Sequence, residues 1–291
     1  MKYGFSNLIS DLGNFIKLNK NRSIDVSRYN FIEAVGMAIL KSIELDENIN
    51  ITNNGKTQDY MEVMFNYPYD KSKNYIPVEV VNYGDIEKYV ARLTETIMKH
   101  PSFTSLNDED KKDLRDYIYY MVGEILNNAM HHSLSPIGAV ISGQVYPQLG
   151  KIQICVIDRG IGFLKNLERK YSVKTETEAV RKALDRGITS PPNIYRPYSS
   201  STDHAGYGLY ILKEIITNTK GELKIISNDG AIYLRSNGQI EEKNLETAWK
   251  GSIVVFEFYE KNIEFSLQEF LNAFIFLKEK EEFSEGEDIF I

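Results

Sequence analysis

Cysteine is almost missing from this chain of 291 residues, which carries one, Cys155. A single thiol makes no internal disulfide, and its place in the apolar run 152–157 predicts a core role rather than a redox one. Long apolar runs are missing too. No stretch approaches the roughly 18 residues needed to span a bilayer, so no membrane partner is expected. The first residues interrupt their apolar positions with Ser, Asn, Asp and Lys, which does not make a signal peptide. Basic residues are outnumbered, 34 against 41 acidic ones, for a net charge of −7 and no basic cluster. That argues against nucleic acid as a main partner. Internal repeats and low-complexity linkers are also lacking. The expectation is a soluble cytoplasmic protein, long enough for two modest domains or one large one.

What is present is strong periodicity. Ile86, Tyr89, Val90, Leu93 and Ile97 recur at helical spacing and stop before Pro101, which suggests a boundary there. The expected division is a smaller α/β domain over 1–101, a main domain over 102–262, and a C-terminal helix with an acidic tail over 263–291. Asn107 is positioned to cap a helix whose first turn holds Asp108, Glu109 and Asp110. Its stripe of Leu114, Ile118, Met121 and Ile125 carries it to about His132. A strand over 151–157 leads into a glycine turn at Asp158. Thr175 and Glu178 read as the capping box of a helix ending at Gly187. Another helix opens after Gly208, and strands are expected over 223–227, 231–236 and 252–259, two of them joined at Asn228-Asp229-Gly230. An amphipathic helix is expected over 267–280.

Three short blocks carry the chemistry. Glu124, Asn128 and His132 stand four residues apart, on one slowly drifting helix face. A carboxamide there suits a hard cation that keeps waters and takes phosphate oxygens, and the carboxylate can accept a proton from an attacking water. The second block is Asp158-Arg-Gly160-Ile-Gly162, a carboxylate at a strand end before two glycines. The third, Gly206-Tyr207-Gly208-Leu209, sits at the mouth of a helix, where free N–H groups favour phosphate. Taken alone, they read more simply as a solvated helix face, an ordinary strand-to-loop turn and a tight turn.

Together the blocks resemble the GHKL superfamily, which includes Hsp90-like chaperones, gyrase-type subunits, MutL-like proteins and histidine kinases. Glu124-x-x-x-Asn128-Ala-x-x-His132 is most similar to the first motif of the anti-sigma-factor serine kinases, and Gly251-Ser252 resembles the family's late Gly-Thr strand. The resemblance covers about 107–260 and implies a Bergerat-type ATP-binding α/β sandwich. It implies that Asn128 coordinates magnesium, that Asp158 reads adenine with Gly160 and Gly162 letting the backbone approach, and that Glu124 activates the nucleophile. Gly206, Tyr207, Gly208 and Leu209 would then hold phosphate, with His132 beside them and Ser252 supporting Asp158 through water. Residues 163–205 correspond to an ATP lid, with Arg186, Arg196 and His204 as candidates to meet the terminal phosphate. No third ligand at a recognisable spacing marks either histidine as a metal ligand.

Before the boundary, a strand over 23–27, a helical run over 31–40 and a short strand over 49–51 resemble the centre of STAS domains. Ala34 takes the place of the phosphorylatable serine, so that switch would be absent. The leading expectation is a Mg·ATP-dependent switch with slow hydrolysis, acting on a protein partner or as a homodimer. A serine/threonine kinase of the anti-sigma type and a non-hydrolysing nucleotide sensor are the alternatives. A sensor histidine kinase is disfavoured because no helical hairpin offers an acceptor histidine before the first block.

Overall fold

The computed structural model describes residues 2–3, 23–67, 74–82, 84, 86–189 and 206–277. The N-terminal unit comprises β1 (Lys2–Tyr3), β2 (Ser23–Asp25), β3 (Phe31–Ile32), α1 (Ala34–Glu47), β4 (Asn50–Thr52) and α2 (Gln58–Asn66). β1 pairs parallel with β3, and β2 with β4, so α1 is the crossover of a β-α-β unit. Residues 34–40 of α1 are buried without a break, because this helix has no polar stripe to show to water. It ends where Asn48 turns left-handed at φ 51°.

The rest of the fold is β5 (Tyr75–Val81), α3 (Ile86–Met98), α4 (Asp108–His131), β6 (Ala139–Tyr146), β7 (Lys151–Asp158), α5 (Leu164–Leu167), α6 (Glu176–Ala183), α7 (Gly208–Asn218), β8 (Glu222–Ser227), β9 (Gly230–Leu234), β10 (Ile240–Asn244), β11 (Ser252–Tyr259) and α8 (Leu267–Leu271). Seven strands make one antiparallel sheet in the order β10-β9-β8-β11-β7-β6-β5. This mixed architecture is the expected α/β fold. Helices α3, α4 and α7 cover one face, with Ile152, Ile154 and Val156 of β7 in their core. The alternate residues Cys155 and Ile157 enter a second core with α1 on the opposite face. A strand buried on both sides has no need of polar alternation, which is why 152–157 is apolar but for Gln153, whose amide is buried and donates to Glu257. Cys155 is fully buried and burial pushes its thiol pKa up, in keeping with a core role.

A division at 101/102 would cut through this core. β5 is the edge strand of the main sheet, and Val81, Tyr89, Val90, Leu93 and Ile97 are buried with Leu114, Ile118 and Ile125 of α4. The break at Pro101 is only a 3-10 turn, Pro101–Phe103, between two packed helices. The Asn107 cap is present, with its side chain accepting from the Asp110 N–H at 2.8 Å. Ser266 and Glu269 form a reciprocal capping box for α8, which continues as a π-helical turn, Asn272–Leu277. Phe270 of α8 packs on Tyr117 of α4, so this helix belongs to the same core. Residues 4–22 and 278–291, with the end of the helix expected over 267–280, lie outside the described residues. No helix among the described residues is long and apolar enough to cross a membrane.

Candidate functional site

Asp158 ends β7 directly opposite Ser252, the first residue of β11. Its carboxyl accepts from the Ser252 hydroxyl and from the Gly160 N–H, the latter at 2.8 Å. The serine reaches the carboxyl directly rather than through a water. Only 3% of Asp158 is exposed, and burial raises its carboxyl pKa to about 6 against the pull of those donors and of Arg159. A carboxyl so buried, with both oxygens already held, is pre-oriented to accept one more donor.

The glycine turn that follows is fitted to protein neighbours. A Cβ on Gly160 would strike the Ser133 carbonyl, which also accepts from the Ile161 N–H at 2.8 Å. Gly162 has φ +80°, and a Cβ there would press on Asn228, Glu176 and Ser227. These contacts join the second block to the loop just after α4.

Glu124 and Asn128 lie on α4, both partly buried. A Cβ on Gly208 would collide with the Glu124 carboxylate, so the first block meets the third at the start of α7. Asn128 is one turn on from Glu124 and five residues before Ser133, between the two contacts that bind α4 to the other blocks. His132 caps the C-terminus of α4, its N–H bonded to the Asn128 carbonyl at 3.1 Å, while His131 is buried. Gly206, at φ +95°, lies against Gly187, and Tyr207 is the residue before α7 with the Arg186 guanidinium 5.7 Å from its ring centre. Leu209 is partly buried between the main core and a small cluster of Leu167, Ala179 and Ala183. The α7 N-terminus, whose first-turn N–H groups point forward, thus faces Glu124 across the glycine.

Within 163–189, α6 ends at Ala183, short of Gly187, and packs Val180 and Leu184 into the main core. Thr175 caps it by accepting from the Glu178 N–H, but Glu178 reaches past Thr175 to the Lys174 N–H. The capping box is therefore half made. Arg196, His204 and the remainder of the expected lid lie outside the described residues.

Three residues of this region carry no motif. Glu176, 6% exposed, accepts from the Phe163 and Leu164 N–H groups at 3.1 Å each, from Ser227 Oγ at 2.6 Å and from Asn228 Nδ2. Asn228, left-handed at φ 44°, also ties the Ile161 carbonyl to the Gly251 N–H. Arg159 is buried beneath the turn with its guanidinium on Asp46. Glu176 reads in sequence as an exposed first-turn residue, and only the fold shows its donors.

A family model for histidine kinase-, DNA gyrase B- and HSP90-like ATPases matches residues 113–259. The chain belongs to that family. No curated protein matches it. The ATPase domain so defined begins inside α4 and closes with β11, so all three blocks and Ser252 lie within it. β5 and α3 extend its sheet and core on the N-terminal side. Among the described residues no group of three or more His, Cys, Asp or Glu side chains is gathered to hold a metal. A cation here would take most of its ligands from phosphate and water, and an Asn oxygen on α4 suits that donor set.

Proposed function

We propose that this chain binds Mg·ATP in the cytoplasm and uses binding and slow hydrolysis to switch its own conformation or its hold on a protein partner or second copy. The observation that carries the reading is the meeting of Glu124 with the α7 N-terminus at Gly208, on the helix after which Ser133 meets the glycine turn that follows the buried Asp158. Asp158 accepts the adenine amine, steadied by Ser252 and the Gly160 N–H, while Gly162 shapes the turn beside it. The turn from Gly206 through Tyr207 to Gly208 and Leu209 offers N–H groups to the phosphates, with His132 closing the α4 side. Magnesium, when bound, offsets the phosphate charge, and Asn128 offers it a carboxamide oxygen. Glu124 takes the proton of the attacking water, a role worth about 10²–10⁴ in rate.

The kinase alternative needs an acceptor hydroxyl on another protein. The position equivalent to the acceptor of STAS-like modules is Ala34, which is fully buried at the start of α1. Calorimetric titration with ATP, with and without magnesium, tests the reading. Binding that needs magnesium and is lost in Asp158→Asn supports it. An Asn128→Ala protein that binds and turns over Mg·ATP normally would sink it. Phosphate appearing on a serine or threonine of a partner would turn the reading to the kinase, and tight ATP retention without turnover to a sensor.

A further inference from the structure

Two residues that flank the base-reading pair point away from the nucleotide and into the N-terminal unit. Arg159 follows Asp158, and Lys250 precedes Gly251 and Ser252. The Arg159 guanidinium donates to Asp46 at 3.0 Å and to Glu47, the last two residues of α1, and Lys250 bonds Asp46 at 2.7 Å. The side chains of Arg159 and Asp46 are 4% and 3% exposed. Arg159 also stacks on Trp249, its guanidinium carbon 4.3 Å from the ring centre. Trp249 is itself buried, and its backbone N–H donates to the carbonyl of Asn228 at 2.8 Å.

The charges explain why this joint must stay closed. Asp46 and Glu47 end a helix with no basic residue in its last turn, where the dipole disfavours carboxylates. A buried guanidinium is equally costly without its partner. If α1 lifts, Arg159 has to leave its place between Asp46 and the indole. The Arg159 N–H is bonded to Ser135 Oγ at 3.2 Å, and its peptide unit is continuous with Asp158. The Arg159 charge also acts on the Asp158 carboxyl, favouring its ionised form, so movement of the guanidinium reaches the carboxyl that reads the base.

We propose that Arg159 is a positioning residue for base recognition: clamped between Asp46 of α1 and the ring of Trp249, it fixes Asp158 and makes nucleotide affinity depend on the seating of the N-terminal unit. The inference rests on Asp158 being the base-reading group. Linkage is reciprocal, so nucleotide tightens the seating of α1 as much as the seating tightens nucleotide.

The full-length chain supplies its own reporter, because Trp249 is its single tryptophan. ATP and inosine triphosphate, which lacks the exocyclic amine, are titrated into wild type and Asp46→Asn by calorimetry and by Trp249 emission. ATP is expected to change the emission of the wild type. Asp46→Asn is expected to lose roughly 5-fold or more in ATP affinity and much less for inosine triphosphate, so the preference for adenine narrows. A general loss of folding would lower both affinities together. If Asp46→Asn does not fold, Arg159→Lys, which keeps the charge but loses the fork, carries the same ratio test. A wild-type preference for ATP in either folded variant, or emission indifferent to saturating ATP, overturns the proposal. Wild type that binds neither nucleotide overturns the base-reading assignment itself, a separate and recognisable result.

Discussion

At one end of the site Asp158 is buried, paired in register with Ser252, and its turn is stitched to Ser133, Asn228 and Glu176. At the other, Glu124 stands partly exposed against a glycine at a helix mouth, and Gly206 lies against Gly187 just before that helix. The first end is built from interlocked hydrogen bonds that cannot give locally. The second is built from glycines and a helix terminus, with Leu209 packed between two clusters and Tyr207 beside the Arg186 guanidinium. Under the proposed function, recognition and turnover fall to parts of the fold that are built differently, and substitutions should separate them.

The largest separation is expected for Glu124→Gln. ATP hydrolysis falls by roughly 10²–10⁴, while ATP affinity in calorimetry stays within a few-fold, because the amide still packs on Gly208. Equal losses in rate and affinity would break the division between the two ends. Next comes Glu176→Ala, which strands the Leu164 N–H and the Ser227 hydroxyl and leaves the Phe163 N–H and the Asn228 carboxamide with one acceptor each. It should cost roughly 3 kcal/mol or more in chemical denaturation and loosen base recognition with it. A loss under about 1 kcal/mol would mean water replaces the carboxylate readily.

The pH dependence sharpens the same contrast. The carboxyl pKa of Asp158 is raised in the fold to about 6 from an ordinary 3.8, so its ionisation opposes folding. Its contribution to stability is whole below the ordinary value and is lost as pH rises through about 6. The proposed base reading runs the other way, since the carboxylate is the better acceptor. The ratio of ATP to inosine triphosphate affinity should fall as pH drops through about 6, with the phosphates common to both. A ratio that stays flat between about pH 5 and about pH 8 would remove Asp158 from that role. The smallest effect is expected for Glu242→Gln. Its pair with Arg181 is about half exposed on both sides, so stability should change by under about 0.5 kcal/mol.

Much of the candidate site is legible in the order of the residues alone. A strand ending in Asp158, a glycine turn, a helix opening at Gly208 and a strand opening at Ser252 each leave a local signature, and local signatures survive folding. The edges are not legible in the same way. β6 and β10 lack a clean alternation although turns at Pro147–Gly150 and Asn237-Gly238 adjoin them, and β5 lies on the far side of a proline that reads as a boundary. Arg159 illustrates the deeper limit. Its partner Asp46 is 113 residues away, and nothing near either residue announces a buried pair. Glu176 fails for the opposite reason, since its local context as a first-turn glutamate is a sufficient account until the fold brings Asn228 and Ser227 to it.

The thiol of Cys155 lies at the seam between β7 and the layer that α1 provides. No reagent reaches it while that layer is seated, and the chain has no second cysteine to confuse the reading. The rate at which a thiol probe labels the folded protein, set against that of an unhindered thiol, therefore measures the fraction of molecules in which this core is open. The molecule carries a built-in clock for its own opening, readable at every nucleotide concentration without altering a residue.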